Sequence, residues 1–274
     1  MNKSKQHHFV PRFILKGFRN SRGELYIFDK RSPENYVKQR SIEKAFMKFN
    51  LNSFRNEDGI WNDDLERKYS MLEDAAAPIV KKIITQATIG KKPDLTKDER
   101  DIWDEFIYRQ QLRSPEFFKQ LGYEQKIKDD VARAIKELEK ENKPPTDKEK
   151  SDVQDNPEQF LQMIRVITRS NDGGEAITAL AKFGVGIAII KLSNKSFIVG
   201  DHFPLFTGPA TSPEPWIPIS SKVAIRPAFG PARSEHLVEL DRQQICRINE
   251  TVFRNSNIVG GPSKELVQSL ANRR

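Results

Sequence analysis

Residues 184–200 read Gly-Val-Gly-Ile-Ala-Ile-Ile-Lys-Leu-Ser-Asn-Lys-Ser-Phe-Ile-Val-Gly, and they decide the fold class. Val185 to Ile190 and Ser196 to Gly200 are apolar runs, rich in branched side chains and too short for buried helices. Ser193-Asn194-Lys195 between them is turn chemistry, so the two runs are expected to pair as a hairpin. Downstream, Trp216–Ile219, Lys222–Arg226 and His236–Leu240 read as further strands. A helix over Arg242–Asn255 and another from Ser263 follow them.

Upstream of Gly184 the periodicity is helical. Leu65, Tyr69, Leu72, Ala76, Ile79 and Ile83 recur at three- and four-residue steps, with Asn62-Asp63-Asp64 as the start and Gly90 as the end. Pro78 lies inside this stripe and predicts a kink. Thr96 with Glu99 forms a capping box for a helix that carries Ile102, Trp103, Phe106 and Ile107 and reaches Arg113. A charged helix to about Glu141, a helix from Pro157 to Thr168 and a short one after Gly173-Gly174 complete the middle. Near the N-terminus, Glu24–Asp29 reads as a strand paired with Tyr36–Arg40 across Ser32-Pro33-Glu34-Asn35. Residues 41–55 carry no decisive pattern. The expectation is α+β: a helical central region with a small antiparallel sheet built from the N-terminal hairpin and the C-terminal strands. A single domain is expected over residues 1–274, helix-rich over 60–183 and β-rich over 184–240, with a flexible loop at 142–157.

Composition narrows the function. A charged fraction of 31% is high, but 17 phenylalanines supply the apolar volume for a core, so the chain reads as folded. The net charge of +8 is uneven: +7 over residues 1–60, −3 over 61–184 and +4 over 185–274. A basic N-terminal segment favours an anionic partner, nucleic acid before an anionic membrane surface. One cysteine, Cys246, excludes an internal disulfide and a cysteine-based zinc site, and fits a reducing compartment. It is expected to be a buried thiol on a helix. No apolar run reaches the ~20 residues that span a bilayer. The chain is therefore read as cytoplasmic and not membrane-bound. The phosphate-cradling Gly-rich loops and the Gly-x-Ser-x-Gly elbow are missing.

Three stretches can carry chemistry. His7-His8-Phe-Val-Pro11-Arg12-Phe13 places imidazoles beside a rigid proline and a permanent cation. Gly200-Asp201-His202 puts a carboxylate and an imidazole at a strand end, where Asp201 can orient a histidine or bind a cation and His202 can move a proton. The alternative for Asp201 is a local turn cap. Arg109 and Arg113 share a helix face and can clamp one phosphate, or pair with Asp104 and Glu105. Glu66 and Glu73 are seven residues apart and share a face that can serve a divalent cation, or simply meet solvent.

Taken together, His8-Phe-Val-Pro11-Arg12-Phe13 with Leu15 and Phe18, Phe106-Ile107 followed by Gln110, Arg113 and Pro115, and the strand ending at Asp201 with a nearby proline resemble the family called domain of unknown function 4238. The Leu65-Glu66 and Glu73 helix, Pro218-Ile-Ser and Asn249 look like it too. Two residues, His202 and Phe203, separate Asp201 from its proline where the family pattern has one. The resemblance implies functional positions at His8, Gln110, Arg113, Asp201 and Asn249 but brings no established activity. The expected function is cleavage of a phosphodiester, a hydrolase of nuclease type acting on nucleic acid. His8, Asp201, Gln110 and Arg113 would be catalytic, Arg12, Arg109, His202 and Asn249 would bind substrate, and Glu66 would help hold a divalent metal. The alternative is a non-catalytic module that binds nucleic acid or a protein.

Overall fold

The computed structural model describes residues 6–34, 36–56, 58–115, 117, 122–140, 157–171, 173–202, 216–228 and 234–273. The loop expected at 142–157 lies outside them except for Pro157. In chain order the strands are β1 (Gln6–His8), β2 (Glu24–Asp29), β3 (Lys38–Ser41), β4 (Met47–Phe49), β5 (Phe54–Arg55), β6 (Trp61–Asn62), β7 (Gly184–Ile189), β8 (Val199–Gly200), β9 (Ile217–Pro218), β10 (Val223–Ala228), β11 (Glu235–Glu239) and β12 (Ile258–Gly261). The helices are α1 (Arg12–Leu15), α2 (Asp64–Thr88), α3 (Lys97–Arg113), α4 (Tyr123–Lys140), α5 (Pro157–Ser170), α6 (Gly174–Leu180), α7 (Arg242–Asn255) and α8 (Lys264–Ala271). The fold is α+β, as the alternation of patterns implies. Among the described residues no helix is long and apolar enough to cross a membrane.

The residues divide into two compact units. One takes Met1–His7, Lys48–Ser70 and Pro115–Asp172. Here β1 pairs with β4 and β5 with β6. Leu65 and Tyr69 of α2 pack on Val166 of α5, with Phe54 against them. Gln162 of α5 donates to the carbonyls of Asn50, Leu51 and Ser53, and Arg169 donates to that of Leu51. These side chains satisfy the backbone of a segment that has little ladder of its own, which is why 41–55 showed no sequence pattern.

The other unit takes His8–Met47, Met71–Ser114 and Gly173–Arg274. It contains two four-stranded sheets, in the orders β3-β2-β12-β8 and β11-β7-β10-β9. The first is the expected small antiparallel sheet, with the N-terminal hairpin β2–β3 at one edge and C-terminal β12 beside it. The second was not anticipated as a separate sheet. Its β7 is buried at all six positions and lies between β10, antiparallel, and β11, parallel.

The hairpin expected between Val185–Ile190 and Ser196–Gly200 does not form. Both edges of β7 are taken, and β8 pairs with β12 in the other sheet. Asn249 of α7 fixes this departure: its Oδ1 accepts from Ile198 N–H and its Nδ2 donates to Ser196 O. Gly200 permits the close approach that follows, since a Cβ there would lie 2.9 Å from Ser256 Cβ. Asn249 is buried, so Asn249→Ala strands one buried donor and one acceptor. The expected loss is about 2 kcal/mol of unfolding free energy, read by urea denaturation.

The helices follow their sequence signals. α2 runs without a break through Pro78 and buries Ala76, Ile79, Val80, Ile83 and Ala87 in this unit. Thr96 caps α3 through the full reciprocal box with Glu99, an arrangement that contributes about 1 kcal/mol. α7 begins on the matching box of Asp241 and Gln244. Phe28 of β2 stacks on Phe253 of α7 with centroids 6.1 Å apart, which ties helix to sheet.

Candidate functional site

His8 ends β1, and Pro11 then turns the chain: its carbonyl accepts from Ile14 and Leu15 N–H and closes the first turn of α1. That turn fixes Arg12 a few residues from the imidazole. His8 Nε2 lies 3.1 Å from the Ile42 carbonyl oxygen. A carbonyl only accepts, so Nε2 carries the hydrogen, and Nδ1 of the neutral ring holds the basic lone pair. Gln110 of α3 donates through Nε2 to the carbonyl of Phe9, the next residue, and so locks the segment that carries His8. Phe9 N–H in turn donates to Phe46 O.

Arg113 ends α3 almost fully buried and pairs with Glu73 of α2. Arg12 and Arg113 both act on the His8 ring. Burial is the largest influence and lowers its pKa below the usual 6.5; the bond to Ile42 opposes this, the two guanidiniums reinforce it, and Glu73 opposes it again. The ring is therefore uncharged at neutral pH. Arg12 also meets Glu43 at 3.2 Å, an exposed pair that adds little to stability. Arg109 Nε lies 3.5 Å from Glu105 Oε1, while Arg113 pairs with Glu73.

A second set of sequence candidates is tied to β8, β12 and α7. Asp201 is 3% exposed; its Oδ1 accepts from Asn257 N–H and its own N–H donates to Ile258 O. Its carboxylate thus fastens the end of β8 to the start of β12. Asn249 spends its amide on Ile198 and Ser196. His202 is half-buried, its pKa lowered by burial, and its Nδ1 has no hydrogen-bond partner among the described residues.

Glu66 belongs to the smaller unit. Its Oε2 accepts from Asn52 Nδ2 at 2.7 Å and lies 3.7 Å from His7 Nδ1, which accepts from Asn52 N–H. Within this polar cluster His7 is 1% exposed. Among the described residues no group of three His, Cys, Asp or Glu side chains is placed to hold a metal.

Two contributors escaped the sequence. The Ile42 carbonyl is a backbone atom, and no residue pattern marks it. Glu73 was matched with Glu66 on one helix face, whereas its charge goes to Arg113, forty positions away. A buried cluster was also unmarked: Arg100, 2% exposed, donates to Phe183 O at 3.0 Å and lies within 4 Å of Asp104 and Glu235. Cys246 is half-exposed, not buried as expected, because the outer face of α7 borders a cleft.

The two histidines set an acid limit to stability. A histidine with a folded-state pKa below its unfolded value binds fewer protons when folded. Stability is thus full above about 6.5 and falls as pH drops toward the folded value. The thermal midpoint is expected to decline between pH 7 and pH 5, and His8→Gln with His202→Gln should flatten that slope. An unchanged slope in the double variant assigns the loss to other groups.

The family model described as "Protein of unknown function (DUF4238)" matches residues 6–264. No curated protein and no solved structure matches the chain. The match runs from the strand that carries His8, through α3 and Asp201, into the start of α8, so the chain is a member of the DUF4238 family.

Proposed function

We propose that the chain cleaves phosphodiester bonds in nucleic acid, with His8 as general base. The observation that carries this reading is the His8 ring: its tautomer is set by the Ile42 carbonyl, and burial and two guanidiniums hold it neutral. Nδ1 would take a proton from water as the water oxygen attacks phosphorus. The P–O bond to the leaving oxygen then breaks, and that oxygen takes a proton from solvent. Arg12, with 54% of its side chain exposed, can meet the non-bridging oxygens. Arg113 is held by Glu73 and acts by its field, favouring negative charge near His8. Gln110 positions the His8 segment through Phe9. The basic bias of residues 1–60 would draw the polyanion in. A cytoplasmic setting belongs to the same reading, since one cysteine asks for no oxidising compartment.

One observation favours the second reading, a binding module without turnover: Asp201 Oδ1 and both amide atoms of Asn249 are engaged by backbone groups. Product formation separates the two. Purified protein is incubated with single- and double-stranded DNA, with RNA and with bis(p-nitrophenyl) phosphate, each with magnesium, manganese or EDTA. Cleavage that tracks the protein through purification supports the enzyme. Salt-dependent binding without product on any substrate leaves the binding module standing and removes the catalytic role of His8.

A further inference from the structure

A cleft of about 360 Å³ opens along α7 and α8, beside the segment 194–196 that joins β7 to β8. Its volume is that of a site for a small organic molecule. Ile245, Leu266 and Leu270 give it an apolar lining. Three cations, Lys195, Arg242 and Arg273, border it against one carboxylate, Glu265. The neighbours sort these charges. Arg273 is engaged by Glu250, and Glu265 already accepts from the Ser263 hydroxyl at 2.8 Å. Neither Lys195 Nζ nor the Arg242 guanidinium has a carboxylate or hydrogen-bond partner among the described residues. Two cations without a direct partner among the described residues thus border one concave, partly apolar space that also holds the Glu265 carboxylate.

We infer that this cleft binds a small organic phosphate. Lys195 and Arg242 take the phosphate oxygens, and the organic part lies on Ile245, Leu266 and Leu270. The site is separate from the His8 chemistry, and it stands whether or not that chemistry does. A phosphate already carries its charge at neutral pH, so no proton need move on binding. The hydroxyls of Ser196, Ser263 and Ser269 also line the space and can add hydrogen bonds to the ligand.

Cys246 makes the test internal. It is the chain's only cysteine and it lines the cleft, so its alkylation reads occupancy directly. Full-length protein is labelled with iodoacetamide in the presence of phenyl phosphate, inorganic phosphate or phenol, and isothermal titration measures phenyl phosphate binding in parallel. Phenyl phosphate is expected to slow labelling saturably, inorganic phosphate less, and phenol not at all. The double variant Lys195→Gln, Arg242→Gln should weaken the phenyl phosphate effect tenfold or more at unchanged unfolding midpoint, and His8→Gln should leave it intact. Equal protection by phenol, protection unchanged in the double variant, or no protection and no binding heat with phenyl phosphate each overturns the assignment.

Discussion

His8→Gln is expected to lower kcat/KM for phosphodiester cleavage by about 10²- to 10⁴-fold, the usual contribution of a positioned general base. Glutamine is the informative replacement because its side-chain amide can still donate to the Ile42 carbonyl, the contact that holds Nε2 of the native ring. What it cannot do is accept a proton at neutral pH. Far-UV circular dichroism and the urea midpoint should stay near the parent values, so lost turnover is assigned to chemistry. The parent pH profile adds a second readout. The base must be unprotonated to work, and its pKa is pushed down mainly by burial and further by Arg12 and Arg113. The rate should climb with pH along a limb whose midpoint lies below 6.5, the pH at which an unperturbed histidine is half charged. Undiminished cleavage by His8→Gln, or an acid limb that stays where the parent has it in a variant lacking both guanidiniums, would remove His8 from the mechanism.

The parts of the fold that came through from the sequence are those whose signals are local. The box at Thr96, the 3.6-residue stripe of α2 and the β2–β3 turn each depend on residues within a few positions of one another. What failed is non-local. Residues 196–200 look like the second arm of a hairpin because the preceding turn invites it. Their true partner, β12, is Ile-Val-Gly-Gly, a short stretch whose glycines read as a turn. The site divides the same way. His8, Arg12 and Arg113 stood out by residue type, and the structure brings their charges to bear on one ring. Asp201 and Asn249 stood out equally, yet each answers a backbone group more than fifty positions away. Buried carboxylates and amides are chosen for such duties as often as for chemistry, and only coordinates tell the two apart. The tautomer of His8 is set by a carbonyl, which every residue possesses and no residue type advertises.

The pair of Arg113 and Glu73 tests whether a charge near His8 serves folding or function. The Arg113 side chain is 4% exposed and that of Glu73 22%. Removing one member of such a pair leaves the other charge without its counter-ion in a poorly solvated place, which costs about 3–5 kcal/mol when burial is complete. Glu73 retains some access to water, so Arg113→Met is expected to cost about 3 kcal/mol, the lower end of that range. Replacing both partners, Arg113→Met with Glu73→Leu, deletes the stranded charge and should recover most of the loss, because apolar side chains of similar size can replace an ion pair at little cost. Activity should behave differently. The double variant regains its urea midpoint but not its rate, since the cation beside His8 is still gone. Its pH profile carries the sign of the field. Arg113 lowers the His8 pKa and Glu73 raises it, with Arg113 the larger of the two. The acid limb of the double variant should therefore move to higher pH, and that of Arg113→Met further still, because Glu73 then remains without Arg113. A double variant that recovered both stability and full turnover would make Arg113 a folding residue alone and leave Arg12 as the cation available to the reaction.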